Sequence, residues 1–389
     1  MEALRADDPR VLGGFTLLCR LGAGGMGQVY LGESAAGQRV AVKVIKASAL
    51  DEDGRARFAL EVDSLKTVYG PFVASFVAAD AHAERPWLAV EYVPGPDLAA
   101  FVAERGPLPL VECASLGALM AEGLALVHDA GLLHRDLKPQ NVLLAPYGPK
   151  LIDFGLAVLA ERRSVLTATG VVVGSVRYMP PEQARGDHQL SPAADVYALG
   201  AVLLYAATGH HPYDGPTWQA IALRIEDPDT PPDLSGLPPG LAPLLSEILV
   251  PEPAGRPALE RITGQLVAIM ADAGVTASQA KQRLTDRVPP AVPPEAPAVP
   301  LDPPPDLWAG YTPTVVDVAV EEEDDEAPPL PRPDTGRDAD EPDEPDVPPG
   351  PPQPATPRSG ETPRPGAPFT VPARIAERLR TAYARDARF

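Results

Sequence analysis

The chain has 389 residues and a formal net charge of −20 at pH 7, with 53 acidic against 33 basic residues. This balance argues against general nucleic-acid binding, because no basic patch is present to displace counterions from a phosphate backbone. Two cysteines, Cys19 and Cys113, cannot form a disulfide framework or a four-ligand zinc site. Both lie in apolar contexts, which indicates reduced thiols in a core.

The composition is uneven along the chain. Residues 289–372 contain 26 of the 50 prolines, with 18 acidic and only 4 basic residues, so the low pI is mainly a property of this segment. The first ~280 residues are long enough for one large core or two lobes. The N-terminus, MEALRADDPR, lacks the apolar run of a signal peptide. The longest strongly apolar stretch, 196–208, is too short to span a bilayer. We therefore expect a soluble, cytoplasmic protein without a transmembrane segment.

Residues 15–32, FTLLCRLGAGGMGQVYLG, predict a strand, a glycine-rich turn and a second strand. Gly22, Gly24 and Gly27 have GxGxxG spacing, and glycine lets backbone N–H groups approach phosphate oxygens. The spacing alone is a weak signal, because dinucleotide-binding folds and ligand-free hairpins share it. A dinucleotide fold needs a helix directly after the last glycine. The β-branched and aromatic run that follows favours a hairpin instead, with Val29 against a base.

The next strand, RVAVKVI at 39–45, contains Lys43 as its one charge within an apolar run. An edge-strand lysine reaching solvent is one interpretation. The other is a cation over the α- and β-phosphates, which requires a carboxylate to hold the ammonium group. A helical pattern over 51–68 places Glu61 beside its apolar face, although a solvated glutamate has the same spacing.

A buried strand at 87–93, WLAVEYV, ends at a Pro-Gly break and predicts a hinge. Backbone groups from Glu91 to Val93 could contact an adenine edge. Helical patterns follow over 98–104 and 110–130. A strand-rich lobe followed by a helix-rich lobe is an α+β arrangement with a cleft between them.

The most informative stretch is HRDLKPQNVLLAPYGPKLIDFG at 134–155. Phosphoryl transfer needs a carboxylate near the attacking hydroxyl, oxygen ligands for magnesium and a cation on the phosphates. Asp136 could accept the hydroxyl proton and Lys138 could neutralise the γ-phosphate, while Asn141 and Asp153 offer oxygen ligands. The alternative is that Asp136 caps a turn and Asp153 marks a strand-to-loop corner. That alternative leaves the joint spacing of the string unexplained.

Six motifs occur in a fixed order: LGAGGMGQVY, AVK, HRDLKPQN, DFG, PPEQARG and DVYALG. On these residues the chain resembles the Hanks-type (eukaryotic-like) serine/threonine protein kinases, most closely the bacterial ones, from about 15 to 270. The resemblance implies a bilobal protein-kinase fold at 15–272. A small antiparallel β-sheet N-lobe with one helix (about 15–92) would precede a larger helical C-lobe (about 96–272). It also implies ATP with Mg²⁺ or Mn²⁺ as cofactors and protein substrates with Ser/Thr acceptors.

The resemblance also assigns roles to residues. Lys43 would pair with Glu61, Asp136 would be the catalytic base assisted by Lys138, and His134 would be structural. Asn141 and Asp153 would bind the metal, and Val90 would gate the adenine pocket. The implied nucleotide-binding set is Leu21, Gly22, Ala23, Gly24, Gly25, Met26, Gly27, Val29, Ala41, Lys43, Glu61, Val90, Glu91 and Val93.

Between Asp153 and Glu182 lies the segment that the family uses for activation. Thr167 and Thr169 match its phosphothreonine positions, and Arg135 is the cation with which such a phosphate would pair. We expect autophosphorylation at these threonines, for which a homodimer could form. The alternative is that they are ordinary loop threonines.

Two other positions near this segment have implied structural roles. Glu182 and Arg256 could form an ion pair, and Asp195 would hold the backbone of the loop that contains His134, Arg135 and Asp136, which we call the catalytic loop. A proline at 180 replaces the family's alanine, and we expect it to be tolerated because the segment is already extended.

Two rival functions remain. A pseudokinase-like scaffold is disfavoured because Lys43, Asp136 and Asp153 are all present. A small-molecule phosphotransferase of related fold is disfavoured because those enzymes lack the long 155–182 segment.

The C-terminal part divides in two. Residues 285–368 are proline-rich and acidic and predict a disordered linker, since they cannot bury enough apolar area. Residues 369–389 place Val371, Ile375 and Leu379 on one stripe among arginines, which predicts a short basic amphipathic helix. This helix could dock on a partner, or it could be a frayed end without function.

Overall fold

The computed structural model describes residues 1–24, 27–46, 52–154, 175–187 and 189–289, with the backbone alone at 52, 53 and 175. Several predictions fall on other residues. Gly25 and Met26 of the glycine-rich turn, Thr167 and Thr169, the linker from 290 and the predicted helix 369–389 all lie outside the described residues.

The N-terminal lobe is an antiparallel sheet whose strands are ordered β1-β3-β4-β5-β7-β6, with β2 paired to β3. Apolar residues alternate along these strands, so one face buries Val40 and Val42 against Trp87. One helix packs with this lobe through Phe58. The elements are β1 (Glu2–Ala3), β2 (Val11–Leu12), β3 (Phe15–Ala23), β4 (Gly27–Glu33), β5 (Arg39–Ile45), α1 (Glu52–Leu65), β6 (Phe76–Asp80) and β7 (Trp87–Glu91).

The C-terminal lobe is helical, with one short β-hairpin at the cleft. Its two central helices are apolar nearly all round, which is typical of helices buried in a core. The elements are α2 (Leu98–Arg105), α3 (Leu110–Asp129), β8 (Val142–Ala145), β9 (Gly148–Leu151), α4 (Pro181–Ala184), α5 (Pro192–Thr208), α6 (Trp218–Glu226), α7 (Ala242–Ile248), α8 (Leu259–Asp272) and α9 (Ala277–Asp286).

The predicted α+β, bilobal fold is confirmed. Strand β3 turns directly into β4, with Gly22 opposite Val29, so the glycine-rich stretch lies in a hairpin and not before a helix. The β8–β9 hairpin pairs Val142 with Leu151, which brings the segments before and after it together.

The fold of the described residues extends beyond the predicted 15–272 at both ends. Strands β1 and β2 lie before residue 15, and α9 lies after residue 272. Helix α9 includes Thr285 and Asp286, so the predicted linker start at 285 is wrong. A capping box between Thr276 and Gln279 starts this helix, and Leu284 is buried on it. The nearby prolines concealed these signals.

A second apolar helix was not singled out by the sequence analysis. Helix α3 has 20 residues and is long and apolar enough to cross a membrane by length and composition. Of its most apolar window, 67% is buried inside the fold, as in the core helix of a globular domain. Glu112 and Glu122 interrupt its apolar sequence, so 196–208 is still the longer uncharged run of the two.

Candidate active site in the cleft between the lobes

Four predicted nucleotide-binding side chains share one face of the N-lobe sheet. Val29 lies opposite Lys43 in the β4–β5 pair, and Ala41 lies opposite Val90 in the β5–β7 pair. Directly opposed residues of paired strands project to the same face, and so do residues two apart on one strand such as Ala41 and Lys43. The sheet register therefore brings these four positions together.

The glycines of the β3–β4 hairpin serve two different needs. Backbone hydrogen bonds join Gly24 and Gly27 at 2.9 and 3.3 Å and close the loop. A Cβ at Gly27 would overlap the carbonyl oxygen of Val44, so the fold itself requires glycine there. At Gly22 and Gly24 a Cβ would meet no atom within 4 Å, and neither backbone is left-handed. The bare backbone at these two positions fits a phosphate group approaching the loop.

Other predicted nucleotide-binding residues lie on the β3–β4 hairpin and at the predicted hinge after β7. Leu21 is partly buried and Ala23 is exposed. The Glu91 N–H donates to the Ser75 carbonyl oxygen at 2.8 Å, and its carboxylate accepts from Lys150 at 2.7 Å. Within the described residues, the buried Val93 has no hydrogen bond to its backbone N–H. Such a donor fits the edge of an adenine ring.

Asp195, in the first turn of α5, binds the backbone of the catalytic loop. Its carboxylate accepts hydrogen bonds from the N–H groups of His134 and Arg135, both at 2.8 Å, and contacts His128 Nε2 at 2.8 Å. Burial raises the pKa of Asp195, but the bond with His128 and the nearby histidines outweigh burial and hold it below its usual value. The role predicted for Asp195 is confirmed. His128 was not predicted, because no motif marks a single histidine near a helix end.

Asp136, Lys138 and Asn141 form a contacting group. Lys138 Nζ donates to Asp136 Oδ2 at 2.6 Å. Asn141 Nδ2 donates to the Asp136 carbonyl oxygen at 2.7 Å and to its carboxylate at 3.3 Å. Because the Asn141 amide nitrogen is used in this way, its Oδ1 atom is the end left to act as a ligand.

Lys43 reaches across the cleft to Asp153. The two side chains form an ion pair at 2.8 Å, and Lys43 is only 14% exposed, so it is not an edge lysine in solvent. Asp153 has a left-handed backbone, with φ +61°. Burial raises the pKa of Asp153, but the charge and hydrogen bond of Lys43 outweigh burial and lower it overall. The carboxylate is therefore ionised at neutral pH.

The expected Lys43–Glu61 pair is not among the ion pairs of the described residues, and Lys43 pairs with Asp153 instead. Glu61 is 8% exposed on α1, so the alternative of a solvated glutamate is also wrong.

His134 is fully buried, and burial lowers the pKa of its imidazole. The ring lies edge-on to Phe154, with 6.4 Å between centroids. Its ring nitrogens have no hydrogen-bond partner among the described residues. A neutral, enclosed ring of this kind fits a structural role and not that of a base.

The sequence profile of the protein kinase domain matches residues 15–266. The chain belongs to the protein kinase domain family.

Three bacterial proteins are among the curated relatives that this kinase chain resembles. Serine/threonine-protein kinase AfsK of Streptomyces coelicolor is 45% identical over 269 residues, covering 68% of this chain and 33% of the relative. The probable serine/threonine-protein kinase PkwA of Thermomonospora curvata is 44% identical over 267 residues, covering 68% and 35%. Serine/threonine-protein kinase PknA of Mycobacterium tuberculosis is 35% identical over 252 residues, covering 63% and 58%. The kinase chain thus spans about a third of the length of the first two relatives.

In the C-lobe, Glu182 and Arg256 form a bidentate ion pair with N–O distances of 2.6 and 2.8 Å, as predicted. Gln183, which was not predicted, donates to the carbonyl oxygen of Arg135 at 3.1 Å and so joins α4 to the catalytic loop. Pro180 is extended and Pro181 is the first residue of α4, where proline is well accommodated. This explains why proline can replace alanine at 180.

The residues present fit ATP and magnesium. Among the described residues, no group of three or more His, Cys, Asp or Glu side chains could hold a metal by itself. Magnesium bound with a nucleotide needs fewer protein ligands, because phosphate oxygens and water complete its coordination shell. The Asn141 oxygen and the ionised Asp153 carboxylate are the hard ligands that such a shared site requires.

Proposed function

We propose that this protein is a serine/threonine protein kinase that transfers the γ-phosphoryl group of ATP to Ser and Thr hydroxyls of proteins. The observation that supports this best is the contact of Asp136 with both Lys138 and Asn141, together with the ion pair between Asp153 and Lys43. The relatives named above are themselves called serine/threonine-protein kinases. Neither a scaffold without catalysis nor a small-molecule phosphotransferase is favoured by any feature of this site.

Each residue has a distinct part in the proposed reaction. Asp136 orients the attacking hydroxyl and takes its proton, and Lys138 stabilises the charge that develops on the transferring group. Lys43 would contact the nucleotide phosphates. Asn141 and Asp153 would hold Mg²⁺, which neutralises phosphate charge; Mn²⁺ accepts the same oxygen ligands.

Regulation is proposed from sequence together with the geometry of Arg135. This residue adjoins Asp136, and its peptide N–H and carbonyl groups are bonded to Asp195 and Gln183. A phosphate on Thr167 or Thr169 that paired with Arg135 would act directly on the catalytic loop. We propose autophosphorylation there within a homodimer, a docking partner for 369–389, and action in the cytoplasm, where ATP and Mg²⁺ are available.

The decisive experiment supplies radiolabelled ATP and Mg²⁺ to the wild type and to Asp136→Asn, with a generic basic protein as acceptor. We expect the variant to lose about 10²- to 10⁴-fold in rate, the range for a general base. Asp272→Asn, an exposed change of the same chemistry at the end of α8, should keep full activity. Mapping the phosphates on the wild type locates the sites of autophosphorylation. A wild type that labels neither itself nor the acceptor would sink the proposal.

A further inference from the structure

The N-terminal residues that precede the kinase match are tied to the glycine-rich hairpin through one buried carboxylate. Asp8 accepts hydrogen bonds from Arg20 Nε at 2.6 Å and Nη2 at 2.5 Å, from the Tyr30 hydroxyl at 2.6 Å and from the Arg5 N–H at 2.7 Å. The side chains of Asp8 and Arg20 are 3% and 11% exposed. We call these three side chains, Asp8, Arg20 and Tyr30, the Asp8 cluster.

The Asp8 cluster lies next to the glycine-rich turn in the N-lobe sheet. Arg20 on β3 and Tyr30 on β4 are direct cross-strand partners, and the register shifts between Arg20 and Gly22. A shift of this kind is a bulge, which bends and twists the strand that contains it. Asp8 therefore bridges the last regular pair before the bulge that leads into the glycine turn.

The chemistry of the cluster makes this bridge stiff. A carboxylate that receives two parallel guanidinium hydrogen bonds is held in both distance and orientation. Burial and the bond to Asp8 raise the pKa of Tyr30 to about 12, so its hydroxyl stays protonated and keeps donating. A second link lies nearby, because the Leu17 N–H on β3 donates to the Arg10 carbonyl oxygen at 2.9 Å.

We propose that Asp8 is a positioning residue for nucleotide binding. By locking both strands at the base of the hairpin, it holds the open backbone at Gly22 and Gly24 where it can meet the phosphates. Pre-organisation of this kind lowers the ordering cost of binding and acts without touching the ligand. The inference rests on the proposed kinase function.

The test compares the full-length wild type with Asp8→Asn and Asp7→Asn. The asparagine at 8 keeps the shape but removes the charge that draws Arg20 and Tyr30 together, whereas Asp7 is an exposed neighbour. We measure the Kd for Mg²⁺-ADP by titration calorimetry, and KM for ATP and kcat by phosphate transfer. Asp8→Asn should raise Kd and KM about three- to tenfold, the net size of one ordinary hydrogen bond, with kcat within about twofold. Asp7→Asn should match the wild type.

The outcomes separate the two ideas. Unchanged Kd and KM in a destabilised Asp8→Asn protein would show that the cluster is only structural and overturn this inference alone. A wild type that binds no nucleotide would overturn both the inference and the proposed function. If Asp8→Asn does not fold, Tyr30→Phe, which removes one hydrogen bond, decides by the same comparison: raised Kd supports the inference and unchanged Kd refutes it.

Discussion

At the scale of single residues, backbone strain is concentrated at the candidate site. Among the described residues, Arg135 and Asp153 are the non-glycine positions with left-handed backbone, at φ +62° and +61°. Each such position costs about 1–3 kcal/mol unless its surroundings stabilise it. Here Asp195 accepts the Arg135 N–H and Lys43 pairs with the Asp153 carboxylate. These two contacts therefore stabilise the left-handed backbone at Arg135 and Asp153.

Two ion pairs of the C-lobe differ in burial, and we expect them to differ in their contribution to the free energy of unfolding. Arg256 pairs with Glu182 with side chains 0% and 9% exposed, and Arg261 pairs with Glu247 with side chains 60% and 43% exposed. Arg256→Met leaves a buried, unpaired Glu182, so we expect it to lower the free energy of unfolding by about 3–5 kcal/mol. Arg261→Met should cost about 0–1 kcal/mol, because water screens an exposed pair.

Urea unfolding of both methionine variants measures this difference. The two N–O distances, 2.6 and 2.7 Å, are nearly equal, so the distance within the pair does not account for a difference in loss. Arg256 also donates to the carbonyl oxygens of Ala193, Val250 and Pro251, and its removal from the core loses these bonds as well. Equal losses in the two variants would contradict the argument from burial.

At the scale of elements, the glycine hairpin predicts two separable effects. Gly27→Ala forces a Cβ against the Val44 carbonyl oxygen and should lower the thermal midpoint of unfolding. Gly22→Ala meets open space, and its less flexible unfolded chain adds up to about 1 kcal/mol of stability. We expect Gly22→Ala to keep or raise the midpoint but to raise the Kd for Mg²⁺-ADP, since the Cβ stands where a phosphate would approach. If both variants unfold early, the division of roles among these glycines is wrong.

The elements also show what the sequence could and could not predict. The strings HRDLKPQN and DFG predicted a convergent group, and the β8–β9 hairpin does bring Asn141 near the start of the next segment. Asp8 escaped notice because it lies in a polar run, and its partners Arg20 and Tyr30 are defined by strand register. The Lys43–Asp153 pair joins residues 110 apart in the sequence, and local patterns do not encode such a contact.

At the scale of the whole molecule, the folded part is larger than the family match of 15–266. Helix α9 packs on α3 and β9, with Ala280 and Leu284 buried against the C-lobe core. Lys281 lies over the Phe72 ring, 5.4 Å from its centroid. These contacts indicate that α9 is part of the cooperative unit, although it stands next to the proline-rich segment.

Two leucine substitutions test whether α9 belongs to that unit. Leu284 is 1% exposed, so Leu284→Ala should lower the free energy of unfolding by about 2–5 kcal/mol through lost burial and a cavity. Leu223→Ala on α6 is the matched control, because Leu223 is 67% exposed and should lose little. Chemical denaturation of the full chain followed by circular dichroism gives both values.

Two truncated chains give a second test of α9. A chain ending at residue 289 should unfold like the full chain, while one ending at 274 should be destabilised at least as much as Leu284→Ala. Equal stability of the 274 and 289 chains would show that α9 adds nothing to the kinase fold.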